Sequence, residues 1–122
     1  NGMFFVYISK DEEKSWLAAY HEMMNNPGEL GKVLGYPECC VDYFKKHFSE
    51  INTDLQTPPT NPWTNLSKRG KDCVLISHFP CHADCHESMA MARVNLDLIT
   101  AHDHKRAKEM MNLLWPSKSK DF

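Results

Sequence analysis

The sequence predicts a mainly α-helical fold: a small single domain of about four helices, with one or two short β-strands and a long, central C-terminal helix. Three observations carry this. Apolar residues recur at helical spacing along most of the chain. Pro, Gly and Asn punctuate those stretches where helices start and stop. Only Met3–Ser9 (MFFVYIS) and Cys73–Phe79 (CVLISHF) are continuously apolar and β-branched enough for strands. With 122 residues, 42% hydrophobic and 25% charged, the chain fits one domain (residues 1–122) that buries a core without disulfide staples. Its ordered core is placed at residues 3–116 and a frayed tail at 117–122.

Taken in order, Met3–Ser9 reads as a buried strand. Asp11–Asn25 reads as the first helix. Asp11, Glu12 and Glu13 suit its first turn, where the helix dipole favours acids. Trp16, Leu17, Tyr20, Met23 and Met24 follow at helical spacing, and Asn25-Asn26-Pro27-Gly28 stops it. Glu29–Leu34 is a short helical turn closed by Gly35. Pro37 opens the next helix, running to about Glu50, with Cys40, Val41, Phe44 and Phe48 as its apolar face. Asn52–Asn65 holds Pro58, Pro59 and Pro62 and reads as an extended loop, the kind often found near functional sites. Cys73–Phe79 reads as a short buried strand or an extended lead-in. Pro80 then starts the dominant helix, which reaches Leu114 with a bend near Thr100–His104 and stops at Pro116. One of its stripes is Cys81, Cys85, Met89, Ala92, Leu96, Ile99; an adjacent one is Met91, Val94, Leu98, Ala101.

The net charge of −2 supplies no basic field, so nucleic acid is not expected as a partner. No run approaches the roughly 20 apolar residues that span a bilayer, and no signal-peptide pattern opens the chain, so neither a membrane nor export is expected. Met3 is a candidate natural start. The five cysteines are an odd set, and four of them sit in two tight clusters, which suits metal or redox work in a reducing cytoplasm better than stapling. The fifth, Cys73, lies in an apolar run and reads as core.

The two clusters, Gly35-Tyr36-Pro37-Glu38-Cys39-Cys40 and His78-Phe79-Pro80-Cys81-His82-Ala83-Asp84-Cys85-His86, share one design. Each places a proline at a helix start with cysteines in the first turn. Unpaired N–H groups and the positive helix end there favour thiolates and anionic metal–thiolate centres. Cys81 and Cys85, four residues apart, are expected on one helix face, and Cys39, Cys40, Cys81 and Cys85 are expected to meet as one site. His78, His82 and His86 add imidazoles that suit zinc, copper or iron, although His82 and His86 fit a solvent-facing role equally. Neither cysteine pair has the C-x2-C spacing of a zinc knuckle, and adjacent cysteines chelate one ion awkwardly. The reading therefore ranks an iron–sulfur cluster first and zinc second. Haem c ranks lower, because C-x3-C-H is one residue longer than the attachment pattern. Copper ranks with it. Two further functions stand beside metal redox work with an electron or substrate partner: a metal-free thiol–disulfide oxidoreductase using Cys81 and Cys85, and a zinc-stabilised interaction module without catalysis.

Leu34–Phe44 (LGYPECCVDYF) and Ser77–Ala92 (SHFPCHADCHESMAMA) resemble an uncharacterised prokaryotic domain family that pairs a G-Y-P-x-C-C segment with a later H-x-P-C-x-x-x-C segment. The match covers those two stretches, under a quarter of the chain. The resemblance implies that the segments act together and supplies no activity.

Overall fold

Helices account for all the regular structure among the described residues, which in this computed structural model are 6–115. In chain order they are α1 (Glu12–Met23), α2 (Pro27–Val33), α3 (Glu38–His47), α4 (His86–His102) and α5 (His104–Leu114), with a 3-10 turn at Arg69–Lys71 before α4. The chain divides into two compact units, Asn1–Thr53 and Asp54–Phe122.

In the first unit α1 packs on α2 and α2 on α3. Asp11 caps α1, its carboxylate accepting from Glu13 N at 3.0 Å. The helically spaced large residues of α1 do not supply its buried face. Trp16 is 70% exposed and Met23 79%, whereas Ala18 is the buried position. Between α2 and α3 the approach is close enough to require glycine. A Cβ on Gly31 would stand 2.9 Å from Val41 Cγ2, closer than packed atoms sit. Glycine there lets α3 bury Cys40 and Val41.

The core of the second unit is built from Leu66, Cys73, Leu75, Ile76, Ala92, Leu96, Ala107, Met110 and Leu114. Trp63 packs edge-on against Trp115 at 4.8 Å between ring centroids, and the Arg93 guanidinium lies over Trp63. The first stripe of α4 supplies two buried residues, and Met91 of the second packs, partly buried, against the same core. Ala92 and Leu96 face the core, whereas Val94 and Leu98 are more than half exposed. The expected bend is a clean break. Asp103 ends α4 and starts α5, its carboxylate accepting from Arg106 N at 3.0 Å. Just before the break, Thr100 Oγ1 donates to Leu96 O at 2.7 Å, a back-bond that helps to bend a helix.

The expected strands do not form among the described residues. Cys73–Phe79 is largely buried but irregular, because no neighbouring strand offers it a ladder. Side chains satisfy its backbone instead. Asn95 Nδ2 donates to Leu75 O at 2.7 Å, and just ahead of the segment Arg106 Nη2 donates to Asp72 O at 2.6 Å. In the other candidate, Val6–Ser9 is also irregular, while Met3–Phe5 lie outside the described residues. So do Pro116 and the tail 117–122. The dominant helix starts at His86 rather than at Pro80, which changes how Cys81 and Cys85 are presented.

Candidate metal centre

The first cysteine pair is delivered by a helix stop followed at once by a helix start. Leu34 is the C-cap of α2 and Gly35 follows it at φ +82, in the left-handed region that glycine enters without a Cβ penalty. Gly35 N donates to Lys32 O (3.1 Å) and Tyr36 N to Gly31 O (3.0 Å), the paired bonds of a Schellman stop. The chain then turns into Pro37, the N-cap of α3, whose carbonyl accepts from both Cys40 N and Val41 N at 3.0 Å. Cys39 and Cys40 are thus the second and third residues of α3, at the positive end of its dipole. Their sulfurs lie 3.9 Å apart, so adjacency does bring both to one point. Cys40 is 2% exposed, whereas Cys39 is exposed to solvent.

The second pair is presented by a turn. Cys85 N donates to His82 O at 3.1 Å, and Cys85 is the N-cap of α4, its sulfur accepting from Ser88 N at 3.5 Å. A sulfur in this capping position takes the place of the usual hydroxyl or carboxylate oxygen. Cys85 Sγ also lies 3.8 Å from Glu87 Oε1, a contact that a thiol makes as donor and a thiolate gives up. Cys85 is buried and Cys81 half-buried. Because α4 starts after Cys85, the two cysteines are not stacked on a helix face, as their spacing suggests. The backbone reversal brings their sulfurs together.

That reversal is held by the proline-rich loop. Asn61 Nδ2 donates to Ala83 O at 2.8 Å and to Asp84 Oδ1 at 3.1 Å. Thr60 Oγ1 donates to Asp84 Oδ1 at 2.6 Å, and Thr64 Oγ1 donates to Ala83 O. The bonds from Thr60 and then Asn61 hold the Asp84 carboxyl below the usual carboxylate range. Behind the turn, His78 Nε2 shares a 2.8 Å hydrogen bond with Ser88 Oγ, and both residues are buried. Burial pushes His78 down to about 4, so its imidazole is neutral near pH 7.

One sulfur from each of Cys39, Cys40, Cys81 and Cys85 completes a group in which all four atoms lie within 4.8 Å of one another, a set able to hold a metal ion. The three candidate histidines are not members of this group. His82 and His86 are exposed, and His78 engages Ser88. Cys73 stands apart as a fully buried core thiol near Met110 O, where burial pushes its pKa up. Thr60, Asn61, Thr64 and Ser88 are the contributors that residue-by-residue reading misses. Loop length pointed towards the first three, and no signal in the sequence marked Ser88.

The family model described as "Protein of unknown function (DUF483)" matches residues 14–115. The chain belongs to this family. The match contains both cysteine segments and the loop that braces the second, so the complete four-sulfur group is part of the family domain. No curated protein and no solved structure matches the chain. No helix among the described residues is long and apolar enough to cross a membrane.

Proposed function

We propose that this protein is a metal-binding module whose four thiolates, from Cys39, Cys40, Cys81 and Cys85, hold a single zinc ion in a closed, structural site. The observation that carries the reading is the sulfur spacing. A tetrahedral ion with metal–sulfur bonds of about 2.3 Å sets its sulfurs about 3.8 Å apart. The Cys39–Cys40 pair already stands at 3.9 Å, and the whole set lies within 4.8 Å. A contraction of about 1 Å at most therefore completes the tetrahedron. An iron–sulfur cluster spreads its thiolates over separate irons and so favours a wider frame. Two helix N-termini offset the negative charge of a tetrathiolate centre. Four protein sulfurs leave no open position for a substrate, which supports a stabilising role for the ion over a catalytic one. The reading carries with it a reducing, cytoplasmic setting, where thiols stay available to metal.

Elemental analysis of anaerobically purified protein tests this. One zinc per chain is expected, with no colour and no acid-labile sulfide. Iron and sulfide in matching amounts, with brown colour, would overturn the zinc reading in favour of a cluster. Metal-free protein in which Cys81 alkylates rapidly near neutral pH would overturn both in favour of thiol–disulfide chemistry.

A further inference from the structure

We infer that Asn61 is a positioning residue for the metal: through Ala83 and Asp84 it holds the Cys81–Cys85 turn in its metal-ready shape before any ion arrives. The inference rests on the tetrathiolate reading above and deepens it. Cys81 and Cys85 are separated by three residues that belong to no helix. A helix would set the relative position of two sulfurs by its own ladder; a turn of this length requires outside anchors. The turn's own backbone bonds include the one from Cys85 N to His82 O. Its middle is held from the proline-rich loop.

Asn61 is well suited to that task. Its Oδ1 accepts from Thr64 N at 3.1 Å, which leaves Nδ2 facing the turn. Nδ2 then donates to Ala83 O at 2.8 Å and Asp84 Oδ1 at 3.1 Å. Ala83 is the central residue between the two cysteines, so this bond acts at the point where the turn would otherwise flex. Thr64, only 5% exposed, donates a second bond to the same carbonyl. Pro62 stiffens the backbone between Asn61 and Thr64. A metal site held in shape in advance does not spend binding energy on ordering its ligands. Partners one step behind the ligands typically contribute 10–100-fold in metal affinity.

Asn61→Asp is the sharpest test. It keeps the size and the acceptor for Thr64 N, removes the donor to Ala83 O and sets a second carboxylate beside Asp84. Zinc affinity, measured by competition with a chromophoric chelator, is expected to fall about 10–100-fold. The visible bands of the cobalt-substituted protein are expected to change, because they report ligand geometry. Thr64→Val removes the other bond to Ala83 O and is expected to act in the same direction, while Thr64→Ser restores affinity. This second pair keeps the inference testable if Asn61→Asp does not fold. Asn95→Asp is the control. Asn95 makes the same kind of amide-to-carbonyl bond, to Leu75 O, so its loss is expected to lower stability with zinc affinity and cobalt bands unchanged. Wild-type affinity and bands in both Asn61→Asp and Thr64→Val, or an equal loss in Asn95→Asp, would overturn the positioning role. A wild-type protein that takes up neither zinc nor cobalt would instead overturn the tetrathiolate reading itself.

Discussion

Replacing Gly35 by alanine isolates the backbone device that aims the first cysteine pair. An added Cβ meets nothing within 4 Å, so the substitution introduces no clash. The two stop bonds, from Gly35 N and Tyr36 N, involve backbone alone and remain available. What changes is the cost of holding φ near +82 with a side chain present. That cost is about 1–2 kcal/mol for an L-residue in the left-handed region. The smaller conformational freedom of alanine in the unfolded chain offsets part of it, by about 0.4–1 kcal/mol. A net loss of about 1 kcal/mol is expected, read as a lower urea midpoint at unchanged slope and a melting temperature lower by about 4 °C. The measurement belongs on chelator-treated protein, so that metal binding does not mask it. Gly35→Asn is expected to lose less, because asparagine tolerates this region. A D-alanine at position 35, introduced by ligation, is expected to raise stability, since its mirror-image preference matches the native φ. Wild-type stability in Gly35→Ala would refute the account of why a glycine stands before Tyr36-Pro37.

Cys73→Ala is expected to leave metal stoichiometry unchanged, because Cys73 lies outside the four-sulfur group, and to lower stability by about 1–2 kcal/mol through the small void it leaves; elemental analysis and denaturation read the two effects separately. Asp103→Ala removes the N-cap of α5 at the break from α4, and a loss of about 1 kcal/mol is expected in urea denaturation. His78 gives a pH signature. Its folded-state value of about 4 lies below the ordinary 6.5, so between those values the unfolded chain binds the extra proton, and stability falls as pH falls from 6.5 towards 4. The contribution to acid sensitivity is about 3 kcal/mol, measured on chelator-treated protein, and His78→Gln is expected to flatten that slope.

What was legible in the sequence is what short-range physics governs. Pro37 ahead of Cys39-Cys40 marks a helix start because proline cannot occupy a helix interior. A bend is expected near Thr100–His104, and the structure makes it a break at Asp103, which caps α5. Cys73 reads as core because its neighbours are apolar. One reading failed, and another was realised with an unexpected buried face. Cys73–Phe79 has the composition of a strand, but a strand exists only with a partner, and here the Asn95 side chain bonds Leu75 O instead. Trp16, Tyr20 and Met23 follow a helical period and lie in α1, but the residue that α1 buries is Ala18.

The sequence by itself determined that the protein is helical, that its cysteines form two segments, and that the first of these sits at a helix N-terminus. Each follows from the conformational limits of a few adjacent residues. Only the tertiary structure decided that Cys81 and Cys85 meet across a turn braced by Asn61 and Thr64, and that the four sulfurs lie close enough for one ion. Those facts depend on two side chains finding a carbonyl about twenty residues further along the chain, and on distances between segments that no local periodicity encodes.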